Sequence, residues 1–407
     1  MYDRVEKQID ELKDDMKNDL MKMLKIPALG PTSNGDGEME KAEFLMKLID
    51  DFGFDSIERY DAPDPRVNSG KRPNIVATKQ GKSDISIVIL AHMDIVPEGD
   101  LDQWDTDPYD PKFIDGKIYG RGAEDNGQEI IAALYAGKAL KKAGVDPHYT
   151  LKVVLVSDEE TGSEYGVEYI LAQDVIQDRD MIIVPDHSEE NGKFIEVVEK
   201  SGLWVKVTCR GKQGHAAMPG GTINANRAVA EYQYMVDERL KQKFHSVKNE
   251  MFSHPFSSFE PTKRDKNVPN VNTIPGKEVQ YFDCRIIPDV SISKVKSIFE
   301  NAAEEMKTKY GAGFQVEYVM ESKAPPGTPI DSKVVEELSD AVEKVTGHRP
   351  SPVGIGGGTV AAHFRKRGLP AVVWCSNHNL AHQPNEYALL SNMVRDCKVF
   401  CSMLFGD

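Results

Sequence analysis

Histidines and carboxylates recur in this chain just beyond short apolar runs. Residues 85–90 lead into Ala91-His92-Met93-Asp94, and residues 151–156 into Ser157-Asp158-Glu159-Glu160. Residues 181–184 lead into Pro185-Asp186-His187. Gly120-Arg121-Gly122-Ala123-Glu124-Asp125 follows Ile118-Tyr119, and His382-Gln383-Pro384-Asn385-Glu386 comes soon after the run 371–374. Open α/β sheets bind ligands outside the carboxyl ends of their strands. Imidazole and carboxylate donors without thiolate suit Zn, Co or Mn. Two such ions about 3.5–4 Å apart need a bridging carboxylate, and together they polarise a carbonyl and acidify water. The chemistry this pattern points to is metal-assisted hydrolysis.

Singly, each element has an ordinary reading as well. His92 and Asp94 lie two apart, and in an extended segment such residues share a side. Asp94 can then accept the free ring N–H of His92 and fix its tautomer; an HxD triplet alone is equally a structural turn. Glu159 and Glu160 are adjacent, so an extended chain sends one toward a metal and the other toward water; Asp-Glu-Glu is also a common solvated turn. Asp125 could be a helix N-cap, Asp186 a turn residue and His382 a surface histidine. It is the set of histidines and carboxylates at converging strand ends that chance does not readily supply.

The elements needed to position them are legible. Leu45, Leu48, Ile49 and Phe52 repeat at helical spacing with Gly53 as a stop. Residues 126–143 read as a helix with Ile130, Leu134, Gly137 and Leu140 on one buried face. Near-continuous apolar strands between helices predict an α/β fold whose largely parallel mixed sheet is flanked by helices. The middle of the chain differs. Residues 203–209, 279–287 and 314–320 alternate in polarity, with helical stretches at 225–240 and 292–309. These predict an α+β lid domain at 202–320, inserted between the catalytic segments 1–201 and 321–407. Ala324-Pro325-Pro326-Gly327-Thr328-Pro329 marks the return crossing.

Composition narrows the function. The 407 residues carry a net charge of −15 and are 40% hydrophobic and 28% charged, which exceeds one ordinary core. The acidic balance argues against nucleic acid or an anionic membrane as the main partner. The charged N-terminus has no apolar signal segment, and no run approaches the roughly 18 apolar residues of a membrane span. The five cysteines, Cys209, Cys284, Cys375, Cys397 and Cys401, form no CxxC pattern; reduced thiols in a cytoplasm are expected. A nucleotide site at Gly354-Ile355-Gly356-Gly357-Gly358 is the weaker competing reading, because neither a long preceding strand nor a ribose-binding acid follows the pattern.

The chain resembles the acetylornithine deacetylase, succinyl-diaminopimelate desuccinylase, carboxypeptidase G and aminoacylase family of two-metal peptidases. The resemblance lies in residues 91–97 (AHMDIVP), 120–126 (GRGAEDN), 158–163 (DEETGS), Pro185-Asp186, 214–219 (GHAAMP), 272–276 (NTIPG) and 382–386 (HQPNE), which stand in family order. It implies a metal-dependent hydrolase of amide bonds in small carboxylate-bearing substrates such as N-acyl amino acids or short peptides. It implies two divalent ions per subunit, Zn first and Co or Mn next. His92 and Asp186 would hold one ion, Glu160 and His382 the other, and Asp125 would bridge, with a cis peptide following it. Glu159 would be the general base and Asp94 the partner of His92. His215 would stabilise the oxyanion, across a homodimer formed by the lid domains. Arg285, with Asn272, Gly358 and Thr359, would bind substrate.

Departures bear on the substrate. The family pattern Gly-Gly-Thr-x-Asp-x-Arg appears with Ala361 and His363 in place of its Asp and Arg. Asn126-Gly127-Gln128 replaces a lysine-containing sequence, and Asp186 stands where deacylases carry Glu. These changes tilt the expectation toward peptidase action. A desuccinylase-type deacylase and a metal-free, non-catalytic relative are the alternatives.

Overall fold

The strand Ser86–His92 is buried along its whole length, as is Met181–Val184; in Thr150–Val156 only Lys152 is partly open. Strands of this kind have no solvent face and must lie between layers. They pair in parallel, Ile89 standing opposite Val153 on one side and Ile183 on the other. Ala371–Val373 extends the parallel set beside Met181–Val184. On one side Lys71–Lys79 pairs antiparallel with this centre and Ser56–Pro63 antiparallel with Lys71–Lys79; on the other Phe194–Glu199 pairs antiparallel with Ala371–Val373, and Ser351–Ile355 lies beyond it as the eighth strand. The sheet is thus mixed with a parallel core, as the apolar runs predict. The computed structural model describes residues 1–188 and 192–406.

Both faces of the sheet are covered. The helix Gln128–Ala143 is buried nearly all round, because Tyr2–Met23 and Leu390–Met403 pack against its outer side. Gly137 on that helix is required: a Cβ there would lie 2.6 Å from the Phe54 ring. On the other face Val88, Leu90, Val154 and Val156 pack with Val167, Ile170, Val360, Ala361 and Phe364. Each fully buried side chain of this size contributes about 1.5–3 kcal/mol. Because successive strand residues alternate faces, the sheet puts its odd and even apolar positions into two cores. It also aims its strand ends, where apolar residues give way to His and carboxylate, at one edge.

The chain forms two compact units: Met1–Val197 with Gly327–Pro352 and Thr359–Asp407, and Val198–Pro326 with Val353–Gly358. The second unit holds a four-stranded antiparallel sheet in the order Ser258–Arg264, Lys277–Ile286, Ser201–Arg210, Gly313–Ser322. In Ser201–Arg210, Leu203, Val205, Val207 and Cys209 are fully buried while Trp204 is exposed, the alternation of a one-sided sheet. The helices Ala225–Phe244 and Ile292–Tyr310 cover the buried side; Tyr232 donates to the Phe299 carbonyl at 3.0 Å, and Phe282 meets Phe299 edge-on. All five cysteines are free and buried. Among the described residues no helix is long and apolar enough to cross a membrane.

Candidate metal centre

His92 is the last residue of its strand and is buried. Asp125 lies in the tight turn Ala123–Gly127 that opens the helix Gln128–Ala143, and the Asp125–Asn126 peptide is cis. Glu159 and Glu160 begin the short turn Glu159–Thr161 after the strand Thr150–Val156. Asp186 lies two residues past Met181–Val184, and His382 sits at φ 64° in a loop. Each ligand-type side chain therefore leaves a fixed element at the same edge of the sheet.

The structure brings them together. His92 Nε2 lies 2.8 Å from Asp125 Oδ1 and 3.6 Å from Asp186 Oδ1. His382 Nε2 lies 3.3 Å from Asp125 Oδ2 and 3.0 Å from Glu160 Oε2. Ligand atoms of His92, Asp125 and Glu160 all fall within 4.8 Å of one another. Asp125 is the common member, one oxygen toward each histidine. His92 Nδ1 is engaged by the Asp94 carbonyl at 3.0 Å, which leaves Nε2 for the centre.

Electrostatics shows what the cluster awaits. Burial opposes the charge on His92, but its bonds to Asp125, Asp186 and Asp94 outweigh burial and hold its pKa well above the usual value. Bonds to Asp125 and Glu160 raise His382 to about 10. Burial likewise opposes the charge on Asp125, yet His382 and His92 hold its carboxyl well below the usual range. Desolvation and the charge of Asp186 push Glu159 well up. Carboxylates gathered this closely demand positive charge, and two Nε2 atoms with three carboxylates are donors that divalent cations accept. The residues fit a divalent-metal site.

One expected contact differs. The Asp94 carboxylate is 3.6 Å from His92 Nδ1, whereas it accepts the backbone N–H groups of Glu159 and Glu160 at 3.1 and 3.0 Å. The strand ends at His92, and the Asp94 carboxylate anchors the glutamate turn while lying farther from the His92 ring.

Several supports were not foreseen. Glu386 accepts from the backbone of Gly122, Glu124 and Asp125 and from Arg121. Buried Lys41 donates to the Met93 carbonyl at 2.9 Å. Asn126 accepts from the His92 backbone and donates to the Pro185 carbonyl, tying two ligand loops together. Glu386 stood inside a quoted motif and could have been singled out; Lys41 carried no local signal.

The remaining candidates sit as follows. In the second unit, His215 lies on the short strand Gly214–His215, opposite Thr273, and is exposed. Its Nδ1 accepts from Ala217 at 3.1 Å, and Ala216 donates to the Asn272 carbonyl, so His215 and Asn272 are neighbours. Arg285 makes two bonds to Asp283, at 2.8 and 3.0 Å. Gly358 belongs to that unit as well. Thr359 belongs to the first, where its hydroxyl accepts from Ala361. Ala361 packs in the sheet core, and His363 Nδ1 is 3.1 Å from Glu168.

Comparison with known proteins agrees with this geometry. The sequence pattern of Peptidase family M20/M25/M40 matches residues 88–405. An uncharacterized metallohydrolase of Methanocaldococcus jannaschii is 35% identical over 400 residues, 94% of this chain and 97% of its own. Succinyl-diaminopimelate desuccinylase of a Nitratiruptor species is 26% identical over 370 residues, 90% of this chain and 92% of its own. The crystal structure of human carnosine dipeptidase 1 superposes with a TM-score of 0.73 at 18% identity, covering 99% of this chain and 98% of the other.

Proposed function

The chain belongs to Peptidase family M20/M25/M40, a metallohydrolase, and from that premise we propose that it hydrolyses amide bonds in N-acyl amino acids or short peptides. The observation that carries this reading is Asp125 standing between His92 and His382, with Asp186 and Glu160 beside them. His92 and Asp186 would hold one divalent ion and Glu160 and His382 a second, with Asp125 available to both; zinc is the first choice, cobalt or manganese the next. Bound there, such ions polarise the scissile carbonyl and make water a stronger acid. Glu159 takes a proton from the attacking water and passes it to the leaving nitrogen.

We assign the second unit as the lid and dimerisation unit of a homodimer. His215 supplies the oxyanion contact. Arg285 takes the substrate carboxylate, for which its planar fork is shaped, and Asn272, Gly358 and Thr359 contribute to substrate binding. Asp94 fixes the glutamate turn. Five free, buried cysteines suit a reducing compartment such as the cytoplasm.

The peptidase reading is favoured over a desuccinylase one because Asp186 replaces the deacylase Glu and Ala361 is committed to the core. The test is release of free amine from a panel of N-acyl amino acids, dipeptides and tripeptides by zinc- or cobalt-loaded protein, with a chelated control. Metal-dependent cleavage of a di- or tripeptide is expected. Cleavage of acyl amino acids alone moves the assignment to deacylase. No cleavage by protein carrying two ions per chain overturns the substrate class.

A further inference from the structure

The turn that carries Glu159 and Glu160 is gripped from one neighbouring strand. The antiparallel ladder between Lys71–Lys79 and Thr150–Val156 runs as far as Ile75 opposite Leu155. Beyond it Pro73 has no N–H to give, and side chains take over. Asn74 accepts the Ser157 backbone N–H at 3.0 Å and donates to the Tyr165 carbonyl at 2.9 Å, while the Ser157 hydroxyl donates to the Pro73 carbonyl at 2.6 Å. Both ends of the stretch 157–165 are thereby fixed.

Arg72 takes the middle. Its side chain has no exposure, nor have those of Glu38 and Asp64, and Asp158 has 4%. Nε and Nη2 fork onto the Glu38 carboxylate. Nη1 lies 3.5 Å from Asp158 Oδ1 and 3.5 Å from Asp64 Oδ2. Glu38 also accepts the Asp158 backbone N–H at 3.3 Å. Asp158 itself stands at φ 65°, a left-handed conformation that Asp and Asn tolerate best. Its carboxylate in turn accepts from the Thr161 hydroxyl and from the Tyr165 backbone at 3.2 Å, and its carbonyl accepts from Ser163 at 2.7 Å. A buried guanidinium with three carboxylates is costly to desolvate, more than holding a surface turn requires.

We propose that Arg72 is a positioning residue for the chemistry: acting through Asp158, it sets where the Glu159 and Glu160 carboxylates stand. Two anchors then define the turn from opposite sides, Asp94 on the backbone N–H groups of both glutamates and Arg72 on the residue before them. The guanidinium fork is needed because one group must bond Glu38 and reach Asp158 together, which an ammonium does not do.

This inference rests on the reading of Glu159 as base, and its test separates the two. Asp158→Asn keeps the shape and tolerates the left-handed backbone but removes the charge that Arg72 faces; Arg72→Lys keeps the charge and removes the fork. Both are expected to lower kcat about 10–100-fold at saturating metal, the effect of a small misplacement of a reacting group, with KM within about threefold and metal affinity reduced because Glu160 shifts with the turn. Amide hydrogen exchange at residues 158–165 should quicken while the rest of the chain is unaffected. Arg365→Gln, which breaks another buried pair with Glu196 away from this turn, is the control for stability alone and should leave kcat unaltered. Lower melting temperature with unaltered kcat and unaltered exchange at 158–165 in both test variants would overturn the proposal. Quickened exchange in a protein whose wild type cleaves nothing in the panel would uphold the positioning and overturn the functional reading instead.

Discussion

Glu386 accepts the backbone N–H of Asp125 at 3.0 Å, so the carboxylate that stands between the two histidines is held by a residue four places beyond one of them. Its other oxygen takes Gly122 N–H at 3.0 Å and Arg121 at 2.7 Å. Burial and the nearby charge of Asp125 raise the Glu386 carboxyl to about 7, against the pull of the Asp125 and Gly122 N–H groups and Arg121, which favour its ionised, accepting form. Glu386→Gln turns one acceptor into a donor facing N–H groups. We expect metal affinity to fall about 10–100-fold, the usual cost of losing a ligand's support. Titration against a competing chelator measures this; unchanged affinity would mean the cis turn keeps its shape unaided.

Glu159 shares its turn with Glu160, whose carboxylate meets His382. Glu159→Gln should therefore retain metal and lose kcat by about 10²–10⁴-fold, the range for losing a general base. Metal analysis beside steady-state kinetics checks it. A variant that loses metal would move Glu159 among the ligands, and one that keeps its rate would remove it from proton transfer.

What the sequence makes legible follows from range. His92, Asp125, Glu160, Asp186 and His382 stand among the histidines and carboxylates that follow the apolar runs, and the family resemblance singles out these five as the expected ligands. The helices at 225–240 and 292–309 are read nearly to their observed limits by periodicity alone. The supports are not legible, because their meaning lies in partners distant along the chain: Arg72 meets Asp158 across 86 residues, Glu386 meets Asp125 across 261 and Lys41 meets Met93 across 52. A buried arginine or lysine has no periodicity of its own. The Asp94 carboxylate is a third kind of case. Spacing puts it beside His92, but the carboxylate meets the N–H groups of the glutamate turn.

The His215 side chain is exposed in its unit, and among the described residues its ring accepts from the Ala217 N–H. His215→Ala should lower kcat about 10²–10³-fold with a smaller change in KM, since an oxyanion contact acts in the transition state. If it acts across a dimer, mixing His215→Ala with Glu159→Gln chains should restore part of the activity in hybrids. Verified subunit exchange with no recovery would show that each chain completes its own site.

Protons and metal compete for this centre, and the direction of that competition is fixed. His382 titrates near 10 rather than 6.5 because Asp125 and Glu160 accept from it, and His92 is raised by its own carboxylate partners. In metal-free protein the His382 ring is therefore charged at pH 7, and the shift of His92 runs in the same direction. The raised pKa of His382 adds stability that is complete below 6.5 and is lost as pH climbs toward 10. Ligation demands neutral rings, so metal must expel the His382 proton at pH 7, and apparent affinity must rise with pH over that window. Stability conferred by metal should then rise with pH as well, opposite to the trend without metal. Calorimetry in two buffers of different ionisation enthalpy counts the protons directly. A count that falls by about one proton in His382→Asn is the expected result; an unchanged count would mean the His382 ring is already neutral before metal binds.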